Sequence, residues 1–148
     1  MSNATAREWR FPNRATPVGS SAYYSVRFSP APLRHDLAVL LGWHHQMRAI
    51  LDDVSDPGVA RLKLQWWREE LQRTYDGAPR HPVSLALHPV VARHQLPLGP
   101  FLQIAGQVEE EILKRRPADE TALQDACERD LGALFDLMTR CHGISEPQ

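Results

Sequence analysis

Every sustained apolar repeat in this chain has the three-to-four-residue spacing of an α-helix, and proline or glycine cuts each one off. No segment alternates apolar and polar residues as a half-buried strand would. Leu33, Leu37, Leu40, Leu41, His44, Met47 and Leu51 form one stripe, entered through Pro30 and Pro32, where a missing N–H costs little. Val59, Leu62, Trp66 and Tyr75 mark a second, widened by Leu64, Trp67 and Leu71. It opens at Asp56-Pro57 and stops at Asp76-Gly77-Ala78-Pro79. A third helix is predicted from Pro82 to His94, with Pro89 as a candidate kink. A fourth runs from Gly99-Pro100 towards Arg115, and a fifth from near Asp119 to Gly143. Residues 1–29 carry Pro12, Pro17, Gly19 and several serines without a period, and read as an irregular lead-in. Residues 30–148 then read as one all-α domain of about five helices.

A chain of 148 residues suits a single modest core, and 43% hydrophobic residues argue against disorder. The formal charge of −1 gives no long-range attraction for nucleic acid or an anionic membrane. No stretch reaches the length of a transmembrane helix, and Glu8, Arg10 and Arg14 interrupt any signal-peptide core, so a cytoplasmic location is the default expectation. Cys127 and Cys141 stand about 21 Å apart along one helical pattern, too far to bridge, and are expected to be buried free thiols.

Two stretches carry potential chemistry. Asp52, Asp53 and Asp56 read literally as DDxxD, and on one helix Asp52 and Asp56 would share a face able to hold Mg²⁺ against a diphosphate. Asp56 is also followed by Pro57 and an amphipathic run, the signature of a helix N-cap. Trp66-Trp67 is expected to pack on both flanks of its stripe. Glu110–Lys114 and Glu111–Arg115 have the spacing of solvated i,i+4 pairs, while Glu110 alone could face a cavity. Adjacent His44 and His45 point about 100° apart and cannot chelate together; there is no HExxH, CxxC, GxSxG or phosphate-binding glycine loop.

Taken in order, four pieces resemble the first half of a squalene/phytoene synthase: Gly19 to Tyr24; Leu40 to Asp53; Val59 to Leu71 (VARLKLQWWREEL) with Tyr75-Asp76-Gly77 and His81-Pro82-Val83; and Cys127 to Gly143. The resemblance covers roughly residues 17–143, and the collinear WWREEL…YDG…HPV is its most specific part. It implies an isoprenoid-synthase-like helical domain, present in part. Members of that family fold around a central cavity and join two prenyl diphosphates head to head. Two facing aspartate-rich motifs hold Mg²⁺ on the diphosphates, and a dry apolar wall protects the carbocation.

Aligned on Val59–Leu71, the family's first motif, approximately C-R-x-x-D-D-x-x-D, falls on His44, His45, Arg48, Ala49 and Asp52. Arg48 thus takes a carboxylate position, where it would repel Mg²⁺ and contact a phosphate directly. By resemblance, Ser20 and Ser21 correspond to a diphosphate-contacting serine region, Tyr23 and Tyr24 to a polar aromatic wall, and Glu110 to a family aspartate. Around Cys127–Ala133 the family pattern is closer to Y-C-x-x-V-A-G: Gly132 matches, whereas Asp130 is unexpected on a cavity-facing turn. Family enzymes are nearly twice as long, with the second aspartate-rich motif beyond the region covered here. The resemblance therefore implies binding of a polyprenyl diphosphate, or prenyl transfer if a partner chain completes the site. A branch of the same fold, the mitochondrial complex I assembly factors, has a similarly degraded first motif and is regarded as non-catalytic. It implies instead a pseudoenzyme that binds or assembles. A homodimer, or a separately encoded second half, is expected to cover Leu, Met and Trp surface that a half-domain leaves exposed.

Overall fold

A computed structural model of the chain describes residues 7–143. The helices are α1 (Ser21–Arg27), α2 (Arg34–Asp53), α3 (Pro57–Tyr75), α4 (Pro82–His94), α5 (Leu98–Ile112), α6 (Glu120–Cys127) and α7 (Ala133–Cys141). A 3₁₀ turn, Ala31–Leu33, leads into α2, and a π-helical turn, Glu128–Gly132, joins α6 to α7. The architecture is all-α, and no strand occurs among the described residues.

Helix α2 is the spine. It packs against α1, α3, α4, α5 and α7, so its apolar stripe widens into burial of Leu37, Ala38, Val39, Leu40, Trp43, Met47 and Ile50. Trp43 meets Phe101 of α5 edge-to-face, with ring centres 5.0 Å apart. Leu64 and Leu71 from α3, Leu87 from α4, Ile104 from α5, and Leu134 and Leu137 from α7 are the other largest fully buried side chains.

The lead-in departs from the expectation of an irregular segment in two ways. It contains α1, capped by Ser20, whose Oγ accepts from the Tyr23 amide. Its remaining turns are fastened to α2 by Asn13, whose Nδ2 donates to the carbonyls of Trp9 and Ala38 while its Oδ1 accepts from the Ala15 amide and the Thr16 hydroxyl. Trp9 is buried on α2 at Gly42, where a Cβ would come within 2.9 Å of the indole ring. A glycine there is required by close approach, not by a turn. Periodicity cannot register such packing, because it runs through one asparagine and one absent side chain.

The WWREEL…YDG…HPV segment turns out to be a clasp. Glu70 is completely buried. Its Oε1 accepts from the backbone amides of Arg80 and His81, each at 2.7 Å, and its Oε2 accepts from Arg73 Nε at 2.7 Å. His81 in turn caps α4, its Nδ1 accepting from the Val83 amide, and lies among Trp9, Trp66 and Trp67. Tyr75 donates to the carbonyl of Leu96, fixing the far end of α4. Trp67 packs inward as expected, whereas Trp66 keeps 40% of its surface exposed, with the Arg73 guanidinium 5.5 Å from its ring centre.

The fifth helix runs from Glu120 to Cys141 as expected, but the π turn within it inserts an extra residue and re-phases it, so Asp130 faces α2 while Leu134, Leu137 and Cys141 remain in the core. Two more expectations need correction. The surface pairs Glu110–Lys114 and Glu111–Arg115 do not form. Helix α5 ends at Ile112 and Lys114 turns to a φ of 54°, which destroys the i,i+4 geometry. Glu110 bonds Arg115 and Glu111 turns inward to Arg48. Of the two thiols, Cys141 is buried and Cys127 is exposed; burial, with Asp36 nearby, pushes the Cys141 thiol up to about 12.

Burial alone would raise the Glu70 pKa, but the His81 and Arg80 amides, with Arg73 and Ser84, outweigh it and hold the carboxylate below its ordinary 4.5. The clasp therefore stabilises the fold fully above the ordinary value and is lost as pH falls through the lowered one. Glu70→Ala should cost about 3–5 kcal/mol in chemical denaturation, by leaving the half-buried Arg73 and two part-buried amides without their acceptor. The variant's stability should also fall less steeply than wild type on acidification below the ordinary carboxylate range.

Candidate functional site

His44 and Arg48 lie one turn apart on the same face of α2, opposite Glu111 near the end of α5 and Asp130 in the π turn. His44 Nε2 and Asp130 Oδ1 are 2.6 Å apart. Arg48 grips Glu111 with both ends of its guanidinium, Nη1 to Oε1 at 2.7 Å and Nη2 to Oε2 at 2.9 Å, and lies 3.4 Å from Asp130 Oδ2. The hydrogen bond to Glu111 raises the Arg48 pKa against the opposing effect of burial, with Asp130, Glu111 and Asp52 adding to it. Burial pushes Asp130 the other way, but His44 and Arg48 overcome it and hold its carboxyl below the usual range.

Beside this cluster opens a cleft of about 600 Å³ between the end of α5 and the α6–π segment. Gln107, Glu111 and Asp130 form its polar floor, Leu123, Ala126 and Leu131 an apolar wall, and Lys114, Arg115 and Arg116 a cationic rim. Gln107 Oε1 is buried with no hydrogen-bond partner among the described residues. A second ionic set ties α3 to α5 outside the cleft, with Arg68 Nη2 donating to Glu109 at 2.8 Å and Arg61 at 3.8 Å.

Of the residues singled out in the sequence, only Arg48 enters the cluster. His45, beside it on α2, is exposed. Asp52 and Asp53 are exposed at the last residues of α2, whereas Asp56 lies beyond the extended Val54 and caps α3, its Oδ1 accepting from the Val59 amide at 2.9 Å. The literal DDxxD is thus split across a helix break and cannot share one helical face. Ser20 caps α1, and exposed Ser21 accepts from the Ser25 hydroxyl through its carbonyl. Tyr23 stacks on Phe11 at 5.2 Å and Tyr24 is half exposed, edge-on to Tyr23. Glu110 is bonded to Arg115. Among the described residues no three of His, Cys, Asp and Glu converge as a metal cage.

Glu111, His44 and Asp130 were not singled out as site residues. Asp130 left a signal, being a carboxylate where the resembling pattern is apolar. Glu111 left none, because its spacing to Arg115 offered a satisfactory surface pair.

A helical half-domain whose α2, α5 and π turn converge on one polar cleft is the architecture of the isoprenoid-synthase class. The squalene/phytoene synthase family profile matches residues 15–148, and the chain belongs to that family. It is 23% identical over 118 residues to the human NADH dehydrogenase (ubiquinone) complex I assembly factor 6, covering 79% of this chain and 35% of that protein. Against the mouse assembly factor 6 it is 21% identical over 126 residues, 84% of this chain and 38% of the other. Presqualene diphosphate synthase of Sinorhizobium fredii is 28% identical over 136 residues, 90% of this chain and 48% of the enzyme. The chain therefore spans between a third and a half of the length of these relatives. No solved structure matches it.

Asp130→Ala removes the acceptor of His44 and one partner of Arg48, and should lower stability by about 1–3 kcal/mol at neutral pH. The Asp130 pKa is depressed, so its contribution is present above the ordinary carboxylate value and vanishes as pH falls through the lowered one. Urea denaturation of both proteins should show the gap closing as pH is lowered below the ordinary carboxylate range.

Proposed function

We propose that this chain is a non-catalytic binding or assembly member of its family, and that its cleft serves recognition. The observation carrying this reading is the two-pronged grip of Arg48 on Glu111, with Asp130 at its side. Mg²⁺ requires near-octahedral oxygen ligation at about 2.0–2.1 Å from carboxylates free to approach it. Here a guanidinium already occupies the space between the two inward carboxylates, His44 holds the second of them, and Asp56 is committed to capping. The residues of this cluster do not fit that metal. The similarity to the assembly factor 6 proteins supports the same reading.

The test uses the purified chain with farnesyl or geranylgeranyl diphosphate and Mg²⁺, followed by lipid extraction. No coupled prenyl product and no released diphosphate are expected; either would overturn the proposal. Thermal denaturation gives an independent check. Millimolar Mg²⁺ should leave the wild-type midpoint unmoved and raise that of Arg48→Ala, in which Glu111 and Asp130 are freed.

A second reading is prenyl transfer completed by another chain, and the match to presqualene diphosphate synthase along 90% of this chain favours it. It requires a cover for the exposed Leu123, Leu131 and Phe135, which are 48–56% accessible along the α6–α7 segment. A two-fold homodimer or a separately encoded second half would provide one. Light scattering at low micromolar concentration should then give a dimer, and a clean monomer that binds no apolar dye would remove this reading.

A further inference from the structure

The net charge of −1 conceals a strong segregation. The first 35 residues hold Arg7, Arg10, Arg14, Arg27 and Arg34 against one carboxylate, Glu8, while residues 36–148 carry the excess of acid. Burial lowers the His81 pKa against the opposing charges of Glu70 and Glu8, which places the Glu8 charge near the clasp. Arg10, Arg14 and Arg27 are exposed, and none of these five arginines is ion-paired among the described residues.

The same segment presents aromatic rings in a continuous ladder. Phe11 stacks on Tyr23 at 5.2 Å, Tyr23 meets Tyr24 edge-on at 5.3 Å, and Tyr24 stacks near-parallel to Phe28 at 6.2 Å. The ladder emerges from the fold as it ascends: Tyr24 is 49% exposed and Phe28 82%, with Val18 exposed at 75%. Val26 and Ser20 fix α1 from the other side, one fully buried and the other capping, so the ladder stands on a held helix.

We infer that the exposed arginines and rings of this segment dock the protein on an anionic lipid bilayer. Unpaired arginines gain from the negative surface potential of such a membrane, and exposed tyrosine and phenylalanine rings bury into its headgroup region. Among the described residues no helix is long and apolar enough to cross a membrane, so contact would be made by this surface lying on the bilayer. Ser25 on α1 and Ser29 just beyond it return their hydroxyls to the backbone carbonyls one turn earlier. The inference is independent of whether the cleft is catalytic.

The experiment is vesicle flotation of the full chain on phosphatidylcholine alone and on phosphatidylcholine containing about 30 mol % phosphatidylserine. Binding should appear on the anionic vesicles and weaken as salt is raised. Arg14→Gln with Arg27→Gln should reduce partitioning by roughly 25-fold, about fivefold for each arginine lost near the surface. Phe28→Ser and Tyr24→Ser should each reduce it as well, all four positions being exposed and the helical content checked by circular dichroism. Equal binding to both vesicle types, no binding at low salt, or folded variants that bind as wild type would overturn the inference. Tighter capture of an RNA homopolymer than of anionic vesicles would overturn it in favour of a nucleic-acid surface.

Discussion

The buried carboxylate of Glu70 is the constraint from which the rest of the arrangement follows. A charge removed from water is tolerated only when its lone pairs are filled, and here two amides and a guanidinium fill them. Because the amides belong to the turn before α4, the clasp fixes where α4 begins and in what direction it leaves. Helix α4 then brings Arg93 and His94 to Asp36, which is itself buried near the start of α2, at 2.6–2.7 Å. The spine helix is thereby held in rotation as well as position, and that rotation aims His44 and Arg48 at the cleft. Two buried carboxylates, Glu70 and Asp36, thus set the orientation of a site that neither of them touches.

The helices were legible in the sequence because burial selects residues at three-to-four spacing, and the Pro/Gly punctuation marked their ends. The N-cap of α3 was legible because Asp-Pro has one favoured local geometry, realised in the Asp56–Val59 bond. The cleft was not legible to the same degree. Asp130 reaches α2 through a π turn, and no hydrophobic period announces one extra residue in a helix. Glu111 satisfied a local rule on paper, and only the left-handed Lys114 removes that local partner. The fastening of the lead-in rested on Asn13 and Gly42, single residues whose importance comes from what lies across from them. Local patterns foretold local structure, whereas side chains whose partners are 25 to 86 residues away did not declare themselves.

Arg48 on the α2 face does not act as a bound metal ion would. A divalent ion can leave and admit a substrate phosphate to its open positions, whereas a guanidinium is tethered to the helix and its hydrogen-bonding directions are fixed. Paired with Glu111 and Asp130, Arg48 neutralises much of the charge on the polar floor and cross-links three separate elements, α2, α5 and the π turn. The cleft keeps its shape and its apolar wall, but its strongest charges are spent on one another. Among the described residues, the cleft's cations without an ion-pair partner lie at the rim, on Lys114 and Arg116.

Net charge is a poor guide to such a molecule because exposed charges separated by more than about 8 Å are largely screened at physiological ionic strength. What a partner meets is the local balance. The acid excess beyond residue 35 is partly internal: Asp36, Glu70, Glu109, Glu111 and Asp130 are each bound to a guanidinium or an imidazole and project little field. The arginines of the first 35 residues have no such partners among the described residues, and the aromatic ladder lies among them. The −1 total is therefore the difference between a net +4 over residues 1–35 and a net −5 over residues 36–148, and the basic edge is what an approaching anionic surface would meet.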